Sequence, residues 1–333
     1  MAIDLSLRGM NVIMVGLSER GTLVRLSVMD GTVKLVREPE EIFSEKKYRA
    51  WTDHYPYGYA MIGDPMNLFY VTLTGIGLSE SPCGPTVMIM DNSLQQMPPN
   101  LMMMGDNLAG RQAPMAGAPS LSWLWAVQLR TLKTGKKAAW ISTEFAEDRS
   151  PALITVAGRL QETLDQYGIS LRTTAQVPDD LAESELVIVA AHGSILPEGR
   201  YVQRISNDAE LALYPAVLAN AVRKSAVVIL FICSGGRLDT HPNAETTIGL
   251  VRQILDAGCA TVIAAPWPLD IRVPSHWLPA FLKHWTAGQT VIEASYAGNQ
   301  NVAQQMGDSP LDSLAMNVFG DPFRVHGESS SRV

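Results

Sequence analysis

Two apolar runs constrain this chain more than any other feature. Leu186-Val187-Ile188-Val189-Ala190-Ala191 closes on His192-Gly193, and Ala226-Val227-Val228-Ile229-Leu230-Phe231-Ile232 closes on Cys233-Ser234-Gly235-Gly236. Continuous runs rich in Val and Ile, separated by a helix-like stretch, read as neighbouring parallel strands covered on both faces. In such sheets the working residues sit at the carboxyl ends of the strands. A histidine and a cysteine delivered side by side to that edge supply a thiol nucleophile and its general base.

The surrounding pattern agrees with a sheet of this kind. From about residue 120, helical and strand-like segments alternate: helix 121–133, strand 137–142, helix 151–166, strands 170–174 and 186–191, a helix near 211–224, strand 226–232, helix 246–257, strand 260–265, helices 274–287 and 290–305, and a last strand at 315–319. The expectation is an α/β fold, a mostly parallel sheet flanked by helices with right-handed crossovers. Ahead of it, strand-like runs at 11–15, 22–28 and 32–36, with Asp30-Gly31 as a two-residue turn, predict an antiparallel hairpin element. Further apolar runs lie at 68–74 and 86–90, whereas 92–120, with Pro98, Pro99, Pro114 and Pro119, reads as loop-rich, its Met102-Met103-Met104 cluster taken as core filler. This divides the chain into a strand-rich region at 1–119, an α/β domain at 120–326 and a frayed tail at 327–333.

Composition narrows the functional classes. The chain has 333 residues, 47% hydrophobic and 18% charged, as in an ordinary globular protein of about two structural units. A net charge of -7 argues against direct nucleic-acid binding through a broad basic surface. No apolar stretch reaches the ~18 residues of a membrane span, and the first residues lack the pattern of an export signal. Three cysteines, Cys83, Cys233 and Cys259, cannot all pair within the chain and have no C-x-x-C spacing, which predicts free thiols in a reducing, cytoplasmic compartment.

Three successive strands of the α/β series lead to chemically suggestive residues, His192, Cys233 and Asp270. His192 is the candidate base and Cys233 the candidate nucleophile, and Gly193, Gly235 and Gly236 let backbone amides approach a substrate. The N–H groups of Gly193 and Cys233 are the expected oxyanion donors. His241 falls in a polar stretch that reads as a solvated loop, and a zinc site of His192, Cys233 and His241 lacks paired ligand spacing. Gly16 and Gly21, without a P-loop lysine, and Gly75-Ile76-Gly77, without a third glycine, read as turns.

The ordered series Ala191-His192-Gly193, Ile232-Cys233-Ser234-Gly235-Gly236, Gly258-Cys259-Ala260 through Pro266-Trp267-Pro268-Leu269-Asp270, and Phe319-Gly320-Asp321-Pro322 resembles the CHAT group of caspase-like cysteine peptidases, relatives of separase. Upstream, Val87–Asp91, Pro98–Leu101 and Ala118–Leu121 are similar to the family's strand, Pro-Leu turn and helix start, so 1–119 is expected to be pseudo-caspase-like. The resemblance implies a caspase-like fold and a His192–Cys233 dyad with Gly193 at the oxyanion, using no metal or organic cofactor. It also implies that Asp270 recognises a basic P1 side chain. The family often has Trp-Pro-Val followed by two acids; here Trp267-Pro268-Leu269 is followed by Asp270 and then Ile271-Arg272, and a guanidinium folded back onto Asp270 would leave a pocket suited to an apolar P1 residue.

The function this implies is a cysteine endopeptidase that cleaves a specific protein partner. Without the repeat-rich sensor region of many relatives, it would be activated in trans by a sensor or adaptor protein, in a bacterial antiviral-defence or cell-death setting. Two alternatives stand beside it: a catalytically silent pseudopeptidase scaffold that binds a peptide or protein partner, and an unrelated α/β enzyme using Cys233 as an acyl acceptor for a small molecule.

Overall fold

A computed structural model of the chain describes residues 1–54, 76–80, 83–142, 151–195, 203–204, 214–240 and 246–328. It divides into two compact units, Met1–Trp125 and Ala126–Val333. Each is built on its own run of sheet.

In the first unit, strands β1 (Asn11–Leu17), β2 (Leu23–Met29) and β3 (Thr32–Arg37) form an antiparallel meander. Asp30 at φ 48° and Gly31 at φ 73° close the β2–β3 hairpin, the left-handed pair that an Asp-Gly turn accommodates. On its other side β1 pairs in parallel with β4 (Thr86–Met90), which pairs in parallel with β5 (Met115–Ala118). Strand β5 corrects the loop reading of 92–120. Met-Ala-Gly-Ala after a proline has little β-propensity, yet all four residues are buried, and the sheet supplies what the local sequence lacks. Met102 and Met104 are core filler as expected, both buried. Gly16 lies inside β1 and Gly77 in a short strand against the Met103 backbone, whereas Gly21, at φ 69°, makes a turn; Gly75 lies outside the described residues. The run at 68–74 lies outside the described residues. Arg25, fully buried on β2, is neutralised by Glu38, also buried, at 2.6 Å, and by Glu80 at 3.0 Å.

In the second unit the strand order is β7-β6-β8-β9-β10-β11, with β6 (Lys137–Ser142), β7 (Ser170–Thr174), β8 (Leu186–Ala191), β9 (Val227–Ile232), β10 (Thr261–Ala264) and β11 (Asn317–Gly320). All neighbours run parallel except β11, which is antiparallel to β10. Every residue of β8, β9 and β10 is buried, the signature of a sheet covered on both faces.

The helices follow the sequence pattern, some of them with shorter ends. Helix α3 (Leu121–Gln128) stops five residues before the expected 133, after α1 (Ala2–Leu7) and α2 (Glu45–His54) in the first unit. The Arg130 N–H turns back to the Val127 carbonyl, which the buried Arg324 also engages at 3.0 Å, so the next turn cannot continue. Helix α4 (Pro151–Gln166) begins with proline in its first turn, followed by α5 (Pro215–Ala221) and α6 (Leu250–Asp256).

Helices α7 (Val273–Thr286) and α8 (Val291–Met306) pack closely because Gly298 leaves room for the Trp277 ring; a Cβ there would stand 2.6 Å from its Nε1. Trp277 donates to Asn299 at 2.9 Å and meets Phe231 of β9 edge-on, in a ladder continued by Phe281, Trp285 and His326. The strand that leads to Cys233 therefore rests on a rigid aromatic bed. At the foot of β8, buried Glu185 accepts N–H bonds from Gly135 and Gly327, which ties down the start of the tail.

Candidate active site

Ala191, the last residue of β8, pairs in register with Ile232, the last residue of β9. His192 and Cys233 are thus the next residues on adjacent parallel strands, at one level of the carboxyl edge, where strand axes lie ~4.8 Å apart. Both are partly buried. Gly193 follows from the same register. A Cβ on it would lie 1.9 Å from the Cys233 carbonyl oxygen and 2.8 Å from Ile232 Cγ2, so only glycine lets the chain leaving His192 pass over the cysteine.

After Cys233 the chain makes a tight turn with Ser234 in the left-handed region at φ 57°, a conformation uncommon for a non-glycine residue. Hydrogen bonds hold it there. The Ser234 N–H donates to the Trp267 carbonyl at 3.0 Å, Gly235 to Ile232 at 2.9 Å and Gly236 to Ala265 at 2.8 Å. A buried ion pair, Arg237 to Asp239 at 2.7 Å, fixes the exit. The motif flags the cysteine but not these supports, because Arg-Leu-Asp resembles any polar loop.

The segment after β10 lies along this turn. Trp267, with 1% of its surface exposed, donates its indole Nε1–H to the Leu311 carbonyl at 2.7 Å, and the Leu269 N–H points at Cys233 Sγ at 3.5 Å. Burial pushes the Cys233 thiol up from its ordinary value, opposed by the Leu269 N–H and by the cysteine's own backbone. Burial likewise lowers His192. Each shift favours the neutral form.

Asp270 emerges beyond this segment, but it is engaged. Arg272 grips its carboxylate with two guanidinium bonds of 3.0 and 2.9 Å and a backbone bond of 2.8 Å. Those bonds hold the Asp270 carboxyl below its usual value. With side-chain exposures of 31% and 55%, the pair is solvent-screened and adds little stability, though it meets much of the acid's hydrogen-bonding capacity. Asp312, in the short helix α9 (Pro310–Ser313), has its carboxyl pushed up by burial and then by Asp270. Neither its type nor its position in the sequence singles it out. His241 lies outside the described residues.

A sequence profile for the CHAT domain matches residues 76–312, which include His192, Cys233 and Asp270. The chain belongs to the CHAT domain family. Solved structures agree at the level of fold. Separase in the Saccharomyces cerevisiae separase–securin complex superposes with a TM-score of 0.57 at 12% identity, covering 96% of this chain and 30% of that one. The Arg-specific cysteine proteinase gingipain R (RgpB) gives 0.51 at 13% identity, covering 86% and 70%. This CHAT chain thus has the fold of caspase-like cysteine peptidases, and it spans less than a third of the separase chain. No curated protein matches the sequence.

Proposed function

We propose that this chain is a cysteine endopeptidase using Cys233 as nucleophile and His192 as base. The observation that carries the reading is the register: in-register ends of two adjacent parallel strands deliver the two side chains to one level of the carboxyl edge. His192 takes the thiol proton, the thiolate attacks the scissile carbonyl carbon, and the imidazolium returns the proton to the leaving amine. Water, deprotonated by His192, then releases the acyl group from sulfur. The Ser234, Gly235 and Gly236 amides donate to carbonyls, and the N–H groups of Gly193 and Cys233 are the proposed oxyanion donors.

A resting pair biased toward neutrality suits an enzyme that another protein switches on, and a specific protein substrate in a bacterial defence or cell-death pathway fits that control. Among the described residues no helix is long and apolar enough to cross a membrane. The three cysteines are free thiols, consistent with a reducing, cytoplasmic setting. Asp270 is the specificity candidate, with Arg272 as internal competitor for a basic P1 side chain.

The test is profiling on a P1-scanned peptide library, with and without proteins encoded beside this chain. Wild type should cut and Cys233→Ala should not. Arg272→Ala should raise the preference for P1 Arg or Lys about tenfold, the scale of one freed charge-assisted bond. A P1 profile unchanged in both Arg272→Ala and Asp270→Ala would remove Asp270 from specificity. Equal cutting by Cys233→Ala would end the peptidase reading.

A further inference from the structure

Three hydrogen bonds strap the segment after β10 to the cysteine turn: Gly236 N–H to Ala265, Ser234 N–H to Trp267, and the Leu269 N–H to Cys233 Sγ. The middle residue is anchored independently, since the Trp267 indole is buried and bonded to Leu311. The bond at 269 differs in kind from the other two. Its acceptor is the sulfur itself, and a backbone dipole aimed at sulfur is worth more to a thiolate than to a thiol, because donors to an ionised acceptor bind more strongly.

We propose that the Leu269 N–H is a second stabiliser of the Cys233 thiolate beside His192, and that Trp267 is the positioning residue that holds it there. The strap explains how a strained Ser234 turn and a Pro-flanked tryptophan serve one purpose. Trp267 accepts from the left-handed residue through its carbonyl, fixing the turn. It locks the loop through its ring, and the chain two residues on meets the sulfur. His192 supplies a place for the proton, and Leu269 stabilises the charge left behind. Burial opposes ionisation of this sulfur, so a fixed donor matters more here than at an exposed thiol.

This inference deepens the peptidase reading through its nucleophile, but it is tested without any peptide. The rate of Cys233 alkylation by iodoacetamide is followed against pH, with the modified residue located by mass spectrometry, in a Cys83→Ser background. Leu269→Pro removes the N–H, Trp267→Phe removes the ring donor while keeping an aromatic ring, and Leu269→Ala keeps the N–H. In the first two, alkylation at neutral pH should slow by about tenfold, the change in thiolate fraction for one pKa unit, and the profile should move to higher pH. Leu269→Ala should follow wild type. Thermal unfolding establishes that each variant is folded; should Leu269→Pro not fold, Trp267→Phe carries the test. Folded variants whose profiles superimpose on wild type would overturn the proposal. A shifted profile in a protein that cuts no peptide would support the strap and count against the peptidase reading.

Discussion

Both units end a buried parallel strand in a polar side chain, with opposite outcomes. In the first, β4 ends at Met90 and is followed by Asp91, whose carboxylate accepts the Leu17 N–H at 3.0 Å and the N–H and hydroxyl of Ser93. Asp91 is spent on the backbone around it. In the second, β8 and β9 end in His192 and Cys233, while backbone around the pair is bonded elsewhere, to Trp267, Ile232 and Ala265. The first strand end spends its side chain on holding the local backbone, whereas the turn after Cys233 is held by backbone bonds to other groups and the Leu269 N–H meets the sulfur.

The largest expected effect breaks this comparison directly. Cys233→Ala and His192→Ala should each lower kcat on a cognate peptide by at least ~10²–10⁴-fold, and the double variant should lose little more. Asp91→Ala should leave kcat intact and cost about 1 kcal/mol of stability, read as a lower urea midpoint. An activity loss in Asp91→Ala comparable to that of the dyad variants would erase the distinction.

Next comes glycine. Gly193→Ala places a methyl against the Cys233 carbonyl and should destabilise by about 1–3 kcal/mol, with a loss of activity larger than that alone explains. Gly158, exposed on α4 with open space around it, should gain about 0.5–1 kcal/mol as alanine. Thermal melts of the two variants should move in opposite directions.

The smallest effect separates the thiols. At neutral pH, exposed Cys83 should alkylate fastest, Cys233 more slowly, and Cys259, pushed up to about 12 by burial, not at all in folded protein. Mass-resolved labelling that found Cys233 faster than Cys83 would mean an ion pair already formed at rest. The stability signs follow. His192 lies below its free value of 6.5, so the stability it contributes is complete above about that pH and is lost as pH falls through its folded value. Cys233 lies above its free value of 9.0, so its contribution is present below that pH and is lost as pH rises through the folded value.

The sequence alone determined the α/β series, the hairpin at Asp30-Gly31 and the placement of His192 and Cys233 just after two adjacent parallel strands, because apolar periodicity and turn chemistry are local and the residues ending two buried runs can be read directly. It did not reveal β5, whose Met-Ala-Gly-Ala becomes a strand through neighbouring strands, nor the early end of α3, set by an arginine about two hundred positions away. It gave Gly193 a role toward substrate, whereas the fold adds a close contact with the Cys233 carbonyl. Asp270 was visible as a carboxylate, and only the tertiary structure decided that Arg272 grips it and that Leu269 meets the sulfur. The physical reason is common to all of these. A residue's type is fixed by the sequence, but which partner satisfies it depends on chain segments brought together only by folding.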